Sequence, residues 1–208
     1  MDMIDELRSE VKRMMDASGH DYQHVQRVYA IARKIGSEEG ADMLVLEAAA
    51  LLHDLGRAYE DKKRNHADVS VELAEKLLKR VKFPPDKRKK VLHAIRVHSY
   101  RRNLKPQTLE AKILQDADRL DAIGAVGIMR CFTFGGAHKR RDYHAEDPFF
   151  EKNRKLEGDK YSLDHFYEKL LKLKHTLHTE AARRIAEERE RYMRGFIEQL
   201  KREIRGEA

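Results

Sequence analysis

Apolar residues in this chain recur at intervals of three and four, and no run alternates with period two, so segments that bury one face must do so as helices. Ile4, Leu7, Val11 and Met14 form one stripe, Val25, Val28, Ala32 and Ile35 a second, and Val71, Ala74, Leu77, Leu78 and Val81 a third. Each stripe marks a helix with one face in a core. Breakers fall between them at Ser18-Gly19, Gly36 to Gly40, Gly56, Pro84-Pro85 and Pro106. The spacing predicts helices near 2–16, 21–36, 42–55, 67–81, 86–98 and 108–130, an all-α fold.

From Thr133 to Ser162 the periodicity disappears. A loop of this length in a compact domain is usually functional or mobile. Lys139, Arg140 and Arg141, beside Phe132 and Phe134, suggest a lid, with Phe149 and Phe150 either to anchor it or to stack on a base. Leu163, Phe166, Leu170, Leu173 and Leu177 then resume the helical pattern, and a long last helix begins near Thr179 with Ile185, Met193, Phe196, Ile197, Leu200 and Ile204 as its apolar positions. Phe196, Ile197 and Leu200 could pack against a second copy, so a homodimer is an expectation. A chain of 208 residues, 41 % of them hydrophobic, can bury one sizeable core. The expected organisation is one domain over 1–208, with a core at about 18–130, a long loop at about 133–162 and C-terminal helices at about 163–206.

Composition closes off several classes of function. No apolar segment reaches the roughly 18 residues of a membrane span, and MDMIDELRSEV mixes acidic with apolar residues, unlike a leader. Cys131 is the single cysteine, which excludes an internal disulfide and a cysteine-rich zinc site and fits a reducing cytoplasm. Lys and Arg outnumber Asp and Glu by 43 to 36, for a formal charge of +7, but the two signs are interleaved. The excess favours phosphate-bearing partners only weakly, and without a concentrated basic, aromatic face it argues against nucleic acid. Charged residues make up 38 % of the chain and Trp is absent, a profile reported for proteins of hot-living organisms. A melting temperature above the roughly 45–65 °C of ordinary domains is expected; a thermal melt inside that range would contradict a thermophilic origin.

Eleven histidines are too many to read singly, and a lone one is usually structural. Arrangement is what matters. AAALLHDLG ends an apolar helical run on His53 and Asp54. A carboxylate at a helix C-terminus is an electrostatic misfit that a bound cation would resolve. Neighbouring residues differ by about 100° around a helix, so the two side chains can straddle an ion beside it. Further ligands must come from other helices, and two offer them. His24, in GHDYQHVQRV, lies on the face of Val25 and Val28; Asp118, in ILQDADRLDAIG, sits among Ile113, Leu114, Ala117 and Leu120, where an unpartnered carboxylate is expensive. Asp116 and Asp121 suit solvated or salt-bridged roles better than ligation, and His20 and Asp21 suit a helix cap.

The order His24, His53-Asp54, Asp118 resembles the H…HD…D signature of the HD-domain metal-dependent phosphohydrolases, and the flanks HxxRV, ALLHDLG and DADRLDAIGA resemble it too. HSY from position 98, GIMRCFTFGG from 127, HFYEKLLKLK from 165 and TEAARRIAEERERYM from 179 are similar to a single-domain branch that includes nucleotide pyrophosphohydrolases. The resemblance implies an HD-domain helical bundle in which His24, His53, Asp54 and Asp118 hold a divalent metal, and in which Asp54, His66 and His98 act on water or the leaving oxygen, or the two histidines hold a second metal. It places histidines at 66 and 98; for His66, helix capping is the plainer alternative.

Two imidazoles and two carboxylates suit Mn, Fe, Co, Ni or Zn better than Mg. Such a metal activates water and neutralises phosphoryl charge. Arg27, one turn from His24, could brace a carboxylate or touch phosphate, and Lys62, Lys63 and Arg64 with Arg101 and Arg102 could form a basic collar. The expected activity is hydrolysis of a nucleoside triphosphate to monophosphate and pyrophosphate. A monophosphate nucleotidase or cyclic-nucleotide phosphodiesterase is the alternative on the same scaffold. From another class, a non-catalytic nucleic-acid-binding module would tolerate loss of His53 or Asp54.

Overall fold

The computed structural model describes residues 2–18, 22–59 and 64–207, without the side chains of residues 17, 18, 59 and 101. The fold is all-α, as the periodicity predicts. Its helices are α1 (Met3–Ser18), α2 (Tyr22–Glu39), α3 (Met43–Leu52), α4 (His66–Arg80), α5 (Pro85–Val97), α6 (Leu109–Asp121), α7 (Gly124–Ala137), α8 (Ser162–Glu168) and α9 (Glu180–Ile204), with short 3₁₀ turns at Leu55–Tyr59, Tyr100–Arg102 and Leu170–Thr176. The chain divides into two compact units, one of Met1–Asp118 with His178–Ala182 and one of Arg119–Leu177 with Arg183–Ala208. No single helix among the described residues is long and apolar enough to cross a membrane.

In the first unit α3 is the axis, fully apolar along Val45, Leu46, Ala48, Ala49, Ala50, Leu51 and Leu52, all buried. It packs against α1, α2 and α5, and α4 packs on α5 and on the Leu55–Tyr59 turn. Small alanines let these helices approach closely, while Val25, Val28, Ala32 and Ile35 of α2 and Val91, Ala94 and Ile95 of α5 fill the space between them. Asp42 starts α3, its carboxylate accepting from the Val45 amide at 3.4 Å and pairing with Lys87 at 2.8 Å.

Three boundaries differ from the periodic reading, each for a local reason. The helix expected at 42–55 ends at Leu52, with His53 as its C-cap, so Asp54 lies in the turn beyond it. The helix expected at 108–130 is two: Ile123 is extended at φ −128° and Gly124 takes φ +80°, a left-handed value that ends α6 and starts α7. The loop expected from 133 begins only after Ala137, because α7 continues through Phe134 and Gly135.

That loop is held by its own contacts in the second unit. Arg154 donates to both carboxylate oxygens of buried Asp164 at 2.6 Å and to the Asp147 carbonyl at 2.9 Å. Arg141 pairs with Tyr161 in an isolated β-bridge, and Arg140 meets Asp159 at 3.5 Å and the Phe134 ring at 5.1 Å.

Gly56 explains the glycine in ALLHDLG. A Cβ there would lie 2.1 Å from the His66 carbonyl oxygen and 2.8 Å from the Ser70 amide nitrogen, and the Gly56 amide donates to Ser70 Oγ at 2.8 Å. Backbone cannot yield as a side chain can. Gly56→Ala should therefore destabilise the chain by about 1–3 kcal/mol and displace His66; an unchanged thermal melt would contradict this close approach.

Candidate metal centre

The helix ends build the centre. His53 and His98 are the C-caps of α3 and α5, and each ring nitrogen Nδ1 lies on the carbonyl oxygen three residues back, 2.8 Å to Ala50 and 2.6 Å to Ile95. Carbonyls this close to a helix C-terminus lack their usual partner four residues on, and the Ile95 oxygen also accepts from the His98 amide at 3.4 Å. Because a carbonyl only accepts, Nδ1 must carry the proton in both rings. When the ring is neutral, as burial keeps His53, it then presents the Nε2 lone pair to the interior, as a metal-ligating histidine requires.

Around Asp54, which is 3 % exposed, the side chains fall into two groups. Its Oδ2 lies 3.5 Å from His24 Nε2 and 3.8 Å from His53 Nε2. His24 Nε2 also lies 3.4 Å from His53 Nε2 and 3.4 Å from Asp118 Oδ1. Its Oδ1 faces the other way, 3.5 Å from His98 Nε2 and 3.7 Å from His66 Nε2. Within each of the sets His24, His53, Asp118 and Asp54, His66, His98 the ligand atoms lie within 4.8 Å of one another, close enough to hold a metal ion. Asp54 touches both sets.

The electrostatics favour a cation there. Burial, helped by His98 and His24 and opposed by Asp54, pushes the His53 imidazole down to about 4. Burial and then Arg57 push His66 down to about 4. Both rings are neutral at pH 7, with lone pairs to give. Burial alone would raise the Asp54 carboxyl, but the neighbouring His53, His24, His98 and Arg57 hold it well below the usual carboxylate range. Asp118 is lowered in the same way, its His24 contact outweighing burial. For His98 burial acts downward, and Asp54 overcomes it to raise the ring. Asp54 Oδ1 and His66 Nε2 are buried without a hydrogen-bond partner. Two buried polar atoms 3.7 Å apart and without partners are expensive. Oxygen and nitrogen donors with free lone pairs fit a divalent ion.

The four expected ligands thus converge, and His66 and His98 join them. His66 is not a cap: Asn65 caps α4, accepting from the Ala67 amide at 2.9 Å, which leaves the His66 ring turned to Asp54. Asp116 is neither solvated nor salt-bridged. It is buried and accepts from the amides of His178 and Thr179 at 2.9 and 2.8 Å and from the Thr179 hydroxyl at 2.8 Å. Asp121 is buried and paired with Arg130.

Arg27 is half-buried on α2, one turn from His24. Lys62 and Lys63 lie outside the described residues, as do His20, Asp21 and the Arg101 side chain. Of the rest of the expected basic collar, Arg64 pairs with Glu72 and Arg102 with Asp68 at 2.5 Å. Arg57 was absent from the sequence reading. Its Nε donates to Asp54 Oδ2 at 2.7 Å, and its place three residues after Asp54 in HDLGR was the available signal.

The family model for the HD domain matches residues 21–123, the stretch that carries all six side chains. YpgQ of Bacillus subtilis (strain 168) is 38 % identical over 97 % of this chain and 94 % of its own length. The crystal structure of an HD-superfamily hydrolase from Bacillus thuringiensis is similar with a TM-score of 0.79 at 38 % identity, covering 97 % of this chain and 96 % of that one. The crystal structure of Bacillus subtilis YpgQ in complex with ADP is similar with a TM-score of 0.75 at 34 % identity, covering 97 % and 94 %. Since these likenesses run nearly end to end, the chain belongs to the HD-domain family and has the fold of its metal-dependent phosphohydrolases.

Proposed function

We propose that the protein hydrolyses small nucleotides, cutting a nucleoside triphosphate to monophosphate and pyrophosphate, with His24, His53, Asp54 and Asp118 as the ligands of one divalent ion. The observation that carries the reading is Asp54, buried with one oxygen toward His24 and His53 and the other toward His66 and His98. Mn, Fe, Co, Ni or Zn suits these donors better than Mg. The ion supplies a Lewis acid for phosphoryl oxygens and lowers the pKa of coordinated water.

The chain's own residues do the rest. Asp54 orients the attacking water through a carboxylate oxygen, while the Nδ1 bonds to Ala50 and Ile95 keep the His53 and His98 rings from turning. His98, whose ring Asp54 raises against burial, stands where it can hand a proton to the leaving oxygen, and neutral His66 where it can orient water. Arg57 fixes one oxygen of Asp54 and, with its guanidinium 44 % exposed, can also meet substrate phosphate. Arg27, Lys62, Lys63 and Arg101 are further phosphate contacts in this reading.

Nucleotide choice is supported by the relative crystallised with ADP. The same reading makes the protein cytoplasmic, a homodimer, and one HD-type domain over 1–208. A panel of nucleoside tri-, di- and monophosphates with several divalent metals, its products resolved by anion-exchange chromatography, tests it: pyrophosphate from triphosphates is expected. Orthophosphate alone would favour the nucleotidase alternative, and no release with any metal would refute the reading.

A further inference from the structure

A second cavity of the first unit, of about 390 Å³, lies on a different face of α2 and is lined by Arg8, Tyr22, Gln26, Tyr29, Arg33 and Leu51 among others. Tyr22, Gln26, Tyr29 and Arg33 recur at three and four along one side of the helix, whereas His24, two residues on from Tyr22, lies about 200° around it. The cavity is therefore separate from the metal centre. Its size is within the roughly 300–1,000 Å³ of small-molecule sites.

Its charges are unevenly matched. Tyr29 donates its hydroxyl to Glu47 at 2.5 Å, and Arg33 Nε meets the other oxygen of the same carboxylate at 3.0 Å, so Arg33 is neutralised and the Tyr29 ring is fixed. Arg8 lies over that ring, its guanidinium carbon 4.4 Å from the centroid. It has no carboxylate partner among the described residues, and its Nε is buried without a hydrogen-bond partner. A guanidinium over an aromatic ring is held there by cation–π attraction, and its terminal donors remain able to serve a bidentate acceptor. Tyr22 stands beside it, its phenol raised by burial against the pull of Arg8 and with the push of Asp16, and so remains a donor.

We propose that this cavity is a binding site for a phosphoryl oxyanion, free or as the tail of a nucleotide, seated on the edge of Arg8 with Tyr22 and Gln26 as further donors. The site does not depend on the nucleotide reading of the metal centre. The half-buried Tyr22 ring would stack a base if the ligand carries one.

Calorimetric titration of the full chain with inorganic phosphate and separately with ADP, in a chelator that silences metal-dependent binding, tests the proposal. The wild-type chain should bind, and Arg8→Ala should weaken binding by at least about tenfold. Arg8→Lys keeps the charge but removes the fork, and should give a smaller loss. Gln26 is exposed, so Gln26→Glu leaves the fold intact, adds a repelling charge and decides the matter if Arg8→Ala fails to fold. Lys79→Ala, at a lysine paired with Glu75 on the surface of α4, should change nothing. Equal affinities for phosphate and ADP would assign the ligand as the phosphoryl group alone, and much tighter ADP would assign a nucleotide; both support the site. No binding, or binding unchanged in Arg8→Lys and Gln26→Glu, overturns it.

Discussion

Asp54→Asn should abolish hydrolysis, with kcat/KM falling at least about a thousandfold, more than about 4 kcal/mol of transition-state stabilisation. The amide has the size of the carboxylate but gives up its negative charge and one of two acceptor oxygens. Both oxygens are in use: one is within 3.8 Å of His24 and His53 and 2.7 Å from Arg57, the other within 3.7 Å of His66 and His98. Loss of metal should accompany loss of activity. A ligand bound only by the folded chain stabilises it by about 2.7 kcal/mol at a hundred times its dissociation constant. A chelator should therefore lower the melting temperature of the wild-type chain and leave that of Asp54→Asn unchanged. A variant that keeps both its activity and its chelator response would show that Asp54 is not the hinge of the site.

The largest stability effect is expected at Asp164, far in sequence from the metal centre. Its carboxylate is fully buried, takes two 2.6 Å bonds from Arg154 and accepts from the Glu157 amide at 2.8 Å. Asp164→Ala strands a largely buried guanidinium and should cost about 3 kcal/mol, lowering the melting temperature of a chain this size by about 8 °C. The effect should depend on pH in one direction. Burial acts to raise the Asp164 carboxyl, but Arg154 outweighs it and holds the group below its ordinary value. Stability from a depressed carboxyl is fully present above the unfolded pKa of about 3.9 and is lost as pH falls through the folded one. The difference between wild type and variant should be constant near neutrality and shrink below about pH 4; a difference that grows on acidification would contradict the pairing. Calorimetry of the variant also tests the proposal of one domain. A single shifted transition fits it, whereas a shift in only one of two transitions would separate the units.

The helices were legible because their apolar stripes are local; His24, His53, Asp54 and Asp118 stood out because each sits on or beside a core-facing stripe and their order resembles the H…HD…D signature. What escaped the sequence depends on chain segments meeting. Ala122 and Ile123 continue the apolar pattern of α6, so only the positive φ of Gly124 reveals the break. Asp116 looks like a surface carboxylate until His178 and Thr179, more than sixty residues later, donate to it. Gly56 gives no local sign that His66 backbone passes 2.1 Å from where its Cβ would be. Arg57 stood in a segment without periodicity, where a 3₁₀ turn carries it back onto Asp54.

The central claim is that His24, His53, Asp54 and Asp118 hold a divalent cation. Crystals of the full chain grown with Mn²⁺, measured at a wavelength where manganese scatters anomalously, test it most directly. The account predicts an anomalous peak within coordination distance of His24, His53, Asp54 and Asp118. A metal found only elsewhere, with these side chains as close together as described and nothing between them, would contradict it.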